Sequence, residues 1–440
     1  MATLILPGGA SSAALGAALR GNTAVYIGDS RNAQRFLDTG KQNKNSQNWS
    51  VWMDAYLRTM GKPMTTIGHF AVSGTRSDQH IATQLQAAIA LNPAFIFWQG
   101  FVNDIAQQYP TAGTCVATCF ANYKTLVKTA NAAGITFVHI WERGAGNFNA
   151  TMIGNLNDVN RLAADWLAWG EPGYMPSVIV IDPTPVQTTV SSNGTIVIPM
   201  SQDAVHDNIP GAKVGGFLAA NKMSPHLRER PGHRLRNLSQ AKVGLGSRSL
   251  IPANAVGFAG TTVAATGTGN TGSVPPGLSP VSCSGGVTAA YSVQATSPDA
   301  DGNTWGNEVK IVVTATAAGT AGCLIALDRT SLAIGSIVRG GMEYDCASGA
   351  TGLSNAYADL EWFPSGSGAT PPMYDMLPPA ATGWGSDTGG ETNLVLEPDA
   401  LILTTFTGTP FTNLAFRVQM NGAGTATFIT RKWWSELATA

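Results

Sequence analysis

Ser30 follows an apolar run, Thr23-Ala24-Val25-Tyr26-Ile27, through Gly28-Asp29. A glycine lets the chain leave a strand sharply. A serine that opens the next helix lies among unbonded N–H groups that favour negative charge. Such a hydroxyl is placed to attack a carbonyl carbon whose oxygen becomes an oxyanion. Far along the chain stands Asp203-Ala204-Val205-His206. Histidine is the general base suited to neutral pH, and a carboxylate three residues before it can hold the ring in the required tautomer. Gly74, in Val72-Ser73-Gly74-Thr75, and Asn103, in Gly100-Phe101-Val102-Asn103-Asp104, offer neutral N–H donors to an oxyanion. Each of these pieces alone also fits an ordinary turn or helix cap.

The elements around them give the pieces an order. Short apolar runs predict strands at Thr23–Ile27, at His69–Val72 after a Thr65-Thr66-Ile67 lead, at Ala94–Trp98, at Ile135–Ile140 and at Val178–Asp182. Amphipathic stretches predict helices over Asp78–Leu91, Phe120–Ala133 and Leu156–Trp169, with a last one over residues 211–221. Strand–helix alternation implies an α/β domain, a mostly parallel sheet with helices on both faces. Working residues in such sheets collect at the carboxyl ends of strands. Ser30, Gly74 and Asn103 each follow a predicted strand, and Asp203 and His206 come after the fifth strand, just before the last helix.

Taken together, Gly28-Asp29-Ser30, Gly74, Asn103 and Asp203-x-x-His206 resemble the sequence blocks of the SGNH, or GDSL-type, hydrolase superfamily over residues 20–223. That resemblance implies a flavodoxin-like three-layer domain and a serine esterase. Ser30 would be its nucleophile, with His206 and Asp203 completing the triad. Gly74, Asn103 and the Ser30 N–H would form the oxyanion hole. It implies no metal and no organic cofactor. The chain departs from the pattern at Phe101, where members with a Gly-Gly-x-Asn-Asp block carry their second glycine. A bulky side chain there is expected to narrow the acyl pocket or shift the loop. Arg31-Asn32 makes the surroundings of the nucleophile unusually polar. No Gly-x-Ser-x-Gly elbow surrounds Ser30, which separates the chain from α/β-hydrolases. His69, His80 and His139 are read as core or hydrogen-bonded residues, and Glu142 and Arg143 as a surface pair or as lining of a substrate groove.

Four segments are expected: an N-terminal arm (1–21), the hydrolase domain (22–223), a basic linker (224–248) holding Arg228, Arg230, Arg234, Arg236 and Lys242, and a β-rich domain (249–440). The opening residues lack a basic stretch, and Pro7-Gly8-Gly9 interrupts their apolar run, so they are read as an arm and not a signal peptide. The last segment strings strand-like runs between Gly-rich turns, which predicts a β-sandwich or jelly roll. Asn270–Gly277, Asp301-Gly302 and Trp305-Gly306 resemble, more loosely, the glycan-binding or jelly-roll modules appended to esterase domains in bacteriophage tail proteins and some bacterial surface enzymes. Trp305, Tyr344, Trp362, Phe363, Tyr374 and Trp384 are candidates for stacking on sugar rings, against a core role. Cys115–Cys119 and Cys323–Cys346 are candidate disulfide pairs among five cysteines.

Charged residues are 12% of the chain and its formal net charge is −1, so nothing global predicts nucleic-acid binding. No apolar run is long enough to span a membrane. The functional expectation is a polysaccharide O-deacetylase, with an acetylated polysaccharide as substrate. The alternatives are a broad carboxylesterase on small esters and a non-catalytic phage tail or surface glycan-binding protein. A homo-oligomer and virion tail proteins are the expected partners. A virion tail or extracellular location is favoured over a cytoplasmic one.

Overall fold

The computed structural model describes residues 20–37, 43–108, 112–188, 200–229, 249–252, 255, 258, 260–296, 306–328, 332–364, 373–378, 387–399, 401–403 and 411–438. Residues 1–19 of the expected arm, residues 230–248 of the basic linker, Asp301-Gly302, Trp305 and Trp384 lie outside them. The chain forms two compact units, Met1–Arg35 with Asn48–Arg230, and Phe36–Gln47 with Pro231–Ala440.

Six strands come first in the chain: β1 (Thr23–Gly28), β2 (Asn43–Asn45), β3 (Thr65–His69), β4 (Phe95–Gln99), β5 (Thr136–Ile140) and β6 (Val178–Ile181). Five of them build the sheet of the first unit, in the order β3-β1-β4-β5-β6. Every pairing is parallel. This is the doubly wound order in which the second strand lies outside the first. Alternate residues of each strand face opposite layers. Val25 and Ile27 of β1 join Ile96 and Trp98 of β4 in one core, covered by helices that include Ala112–Ala132 and Ala150–Trp169. Ala24, Tyr26, Phe95 and Phe97 face the other core, against helices Trp49–Thr59 and Ile209–Met223. Strands buried on both faces must be apolar throughout, which is why they read as short continuous apolar runs.

The second strand is displaced from its expected position. Regular pairing covers Thr65–His69, not His69–Val72, because the chain peels from the sheet edge after His69. It stays bonded to β1 irregularly, with Phe70 N donating to Tyr26 O at 2.8 Å and Val72 N to Gly28 O at 3.0 Å. The helix expected over Asp78–Leu91 is not uniform either. α-Helical Ser77–Gln79 passes into a π-helix over His80–Leu85 and returns to α-helix at Gln86–Ala90. Helix Trp49–Thr59 has no counterpart in the sequence reading.

The second unit is a β-sandwich of an eight-stranded and a six-stranded sheet, mostly antiparallel. Phe416 in one sheet meets Tyr344 at 5.6 Å and Phe428 at 5.7 Å in the other, between ring centroids. Residues 36–47, expected inside the 22–223 segment, belong to this unit, because β2 adds to the edge of the six-stranded sheet beside Met373–Leu377. Tyr344 and Trp362 are buried, each 1% exposed, so they fill the core and present no face to a sugar. Phe363 and Tyr374 are half-buried, and Tyr374 packs on Tyr357. All five cysteines are free. Cys115 and Cys119 sit one turn apart on a helix with their sulfurs 3.9 Å apart, in thiol contact and not a disulfide. Among the described residues, no helix is long and apolar enough to cross a membrane.

Gly28 ends β1 with φ +127°, and a Cβ there would overlap the Gln99 carbonyl oxygen on β4. Gly28→Ala should therefore destabilise the first unit by about 3 kcal/mol or more. A urea melt followed by tryptophan fluorescence checks this.

Candidate active site

β1 and β4 are neighbours, with Gly28 paired to Gln99. Here the strand order reverses, and the carboxyl ends of the strands flank a crevice. Asp29 caps the short helix Ser30–Ala33 by accepting from Arg31 N at 3.0 Å. Asp29 is fully buried, and burial raises its pKa to about 6 against the opposing pull of Arg31. Ser30 thus stands at the first position of a helix at the switch point, half-buried.

His206 reaches it from 176 residues away, with Nε2 2.8 Å from Ser30 Oγ. Its Nδ1 lies 2.7 Å from Asp203 Oδ2. The ring therefore donates from Nδ1 to the carboxylate and accepts the serine proton at Nε2. Asp203 also accepts from Val205 N at 3.0 Å and His206 N at 2.8 Å, closing a tight turn through Ala204 at φ +64°. Burial opposes the Asp203 charge, but these N–H groups and the ring outweigh it and hold its pKa below the usual value. The Asp203 side chain remains 50% exposed, so the site is open to solvent on that side.

The Gly74 turn hangs from the end of β1. Gly74 is exposed with φ +79°. Thr75 Oγ1 donates to Val72 O at 2.6 Å. Asn103 lies in helix Val102–Gln108 and donates from Nδ2 to Thr75 O at 3.1 Å. Ser30, Asp203 and His206 are thus joined directly, while Gly74 and Asn103 are joined through the Thr75 backbone to each other and through Gly28 to the serine loop.

Gln84 and Trp98, which carry no motif, help to build this arrangement, and His80 has the hydrogen-bonded role expected of it. Gln84 clamps Gly28, accepting from its N at 2.7 Å and donating to its O at 3.1 Å. Trp98 Nε1 donates to His80 Nδ1 at 3.0 Å, so His80 carries its proton on Nε2, which faces Thr75 Oγ1 at 3.0 Å. Burial lowers His80 to about 4, so the ring is neutral and acts as a strut. Both Gln84 and His80 come from the π-helix, a distortion frequent at functional sites. A helix interrupted by two polar residues facing a strand end was the available signal. Burial also lowers His139 to about 3, with Tyr123 Oη 3.0 Å from its Nδ1, which fits its expected core role.

Glu142 and Arg143 are neither a surface pair nor groove lining. They are 1% and 2% exposed. Arg143 pairs with Asp207 at 2.5 Å, and Glu142 pairs with Arg31. Phe101 does not narrow a pocket. It is 0% exposed and packs edge-on against Trp98 at 4.9 Å. Its backbone sits at φ +90°, a conformation natural to glycine.

No protein-family model matches the chain, and no curated protein matches it. Solved structures do resemble it over about half its length. A GDSL-like lipase from Bacteroides thetaiotaomicron is 18% identical, over 47% of this chain and 89% of that one, with a TM-score of 0.35. An acetyl xylan esterase variant from Geobacillus stearothermophilus is 13% identical, over 48% and 96%, with a TM-score of 0.37. The structure of TesA is 20% identical, over 47% and 99%, with a TM-score of 0.35.

Two substitutions follow from this geometry. Phe101→Gly relieves a left-handed backbone worth about 1–3 kcal/mol but loses a buried aromatic worth about 3–5 kcal/mol. Packing wins, and the melting temperature should fall. Asp29→Asn keeps the oxygen that accepts from Arg31 N. In the parent, the unfolded carboxyl ionises near 3.8 while the folded one holds its proton to about 6. Folding therefore loses stability as pH rises between those values, on the order of 2–3 kcal/mol, and the loss persists above them. The stability of Asp29→Asn relative to the parent should rise between pH 4 and 6 and then level off, as measured by urea midpoints across pH.

Proposed function

We propose that the first unit is a serine esterase that removes O-acetyl groups from a polysaccharide. The observation that carries this reading is the Ser30–His206–Asp203 chain of hydrogen bonds, at 2.8 and 2.7 Å, at the switch point of the sheet. Ser30 Oγ attacks the acetyl carbonyl while His206 Nε2 takes its proton. The imidazolium formed is stabilised by Asp203. The oxyanion is met by the N–H groups of Ser30 and Gly74 and by the Asn103 amide N–H not engaged with Thr75. His206 then protonates the departing sugar oxygen. Water, deprotonated by the same nitrogen, releases acetate and restores the serine. None of these steps requires a cofactor.

The rim of the candidate site supports a hydroxylated substrate. Ser73, Gly74, Gly146, Asn147 and Asp203 are exposed around the candidate loops, small or polar residues suited to a hydroxylated carrier. A triad open to solvent on the Asp203 side leaves room for a bulky alcohol, and a small acyl group needs no long apolar channel. Of the aromatics expected to stack on sugar in the second unit, Tyr344 and Trp362 are core residues and add nothing to this reading, while Phe363 and Tyr374 are half-buried.

The test is acetate release from a panel of acetylated capsular and cell-wall polysaccharides, compared with hydrolysis of an aryl acetate. Ser30→Ala should lower both rates by about 10³-fold or more. Hydrolysis unchanged in Ser30→Ala would remove Ser30 from the reaction. Equal or better turnover of the aryl ester would favour a broad carboxylesterase, and no turnover of either would favour a glycan-binding protein.

A further inference from the structure

We propose that Arg31, the residue after the nucleophile, is a positioning residue that fixes His206 against Ser30. This rests on the triad reading above and adds to it the part that holds the triad in register. Arg31 is buried, 3% exposed, beneath the site and not in the rim. Its guanidinium reaches two loops distant in sequence. Nε donates to Val205 O at 3.0 Å, one peptide before His206. Nη1 donates to Arg143 O at 2.8 Å, and Nη2 to Gly144 O at 3.3 Å, both in the loop after β5. Glu142, at the start of that loop, supplies its counter-charge.

The two loops are also tied to each other. Gly146 N donates to Ala204 O at 2.7 Å, and Arg143 pairs with Asp207 at 2.5 Å. The loop carrying His206 is therefore bracketed, with Ala204, Val205 and Asp207 each held from outside. The Val205 bond connects directly to the residue beside Ser30. The Arg31 backbone is anchored in turn, since its carbonyl accepts from Asn48 Nδ2 at 2.7 Å and its N–H donates to Asp29. One rigid side chain thus sets the separation between the backbone of the nucleophile and the backbone of the base.

The chemistry requires arginine. A guanidinium presents five N–H donors in a planar fork, and three carbonyls with one carboxylate take up that fork. A lysine keeps the charge but cannot meet three carbonyls from one plane. A displacement of about 1 Å at a reacting group costs about 10²-fold in rate.

Arg31→Lys should lower kcat for an aryl acetate by about 10- to 100-fold and leave KM within about threefold, since the side chain does not face substrate. The deciding measurement is a cycle with His206→Ala. If Arg31 acts through His206, Arg31→Lys should change the residual rate of His206→Ala by less than about twofold. A loss of the same size in both backgrounds means general damage and overturns the proposal, as does an unchanged kcat in Arg31→Lys alone. If His206→Ala itself keeps full activity, the triad reading fails, which is a distinct result. Should Arg31→Lys not fold, Glu142→Gln takes its place, loosening the fork while leaving the carbonyl bonds. It should then lower kcat by about 3- to 10-fold in the parent and not in His206→Ala. An unchanged kcat, or an equal loss in both backgrounds, overturns the assignment.

Discussion

At Gly28 the central strand stops, and both backbone polar groups of that residue are bonded. Gln84 bonds both its N–H and its carbonyl. The same carbonyl accepts from Val72 N at 3.0 Å and faces Thr75 Oγ1 at 3.3 Å. At φ +127° the chain then swings past Gln99 into the helix that begins with Ser30. The backbone of one residue therefore sets the direction of the serine and the height of the Gly74 turn. A side chain at this position would collide with β4, so the close approach of the two strands and the exit of the loop are a single constraint.

Beneath that point the chain places charge where burial makes it costly. Charged residues are scarce overall, at 12%, yet Arg31, Arg143, Glu142 and Asp207 are all buried. Burial and the adjacent Arg143 charge lower Arg31 to about 9, which leaves it charged at neutral pH. Burial raises the pKa of Asp207 against the pull of both arginines. Replacing buried pairs by apolar residues of like volume is often neutral or stabilising, so stability alone is a weak reason for such a group. Its geometry gives a better one. Each arginine ties the loop after β5 to the loop carrying His206, alongside the backbone bond from Gly146 N to Ala204 O.

Phe101 shows the same tension between local and tertiary demands. The loop after β4 needs a left-handed backbone, which glycine adopts without strain. Here a phenylalanine adopts it because its ring enters the cluster of Trp98, Tyr123 and His139, with centroids 4.9 to 6.2 Å away. The residue that looked most disruptive to the site is a core residue seen from its backbone.

The doubly wound sheet was legible because strands buried on both faces must be short, apolar and separated by helices. The order of candidate residues after those strands was legible because a parallel sheet gathers its loops at one edge. Residue types and their order after the strands made Ser30, Asp203 and His206 candidates, and the tertiary structure brings them within hydrogen-bonding distance. Partners of backbone atoms were not legible. Arg31 bonds carbonyls 112, 113 and 174 residues away, and any residue type can offer a carbonyl. The π-helical shift that turns Gln84 toward β1 and His80 toward Trp98 of β4, the capture of residues 36–47 by the sandwich and the inward turn of Phe101 also escaped. In each, a local preference yields to packing between segments far apart in the chain. The sequence by itself marked the candidate groups and the edge of the sheet at which they gather. The tertiary structure alone decided what holds them at hydrogen-bonding distance, because that depends on donors and acceptors every residue carries.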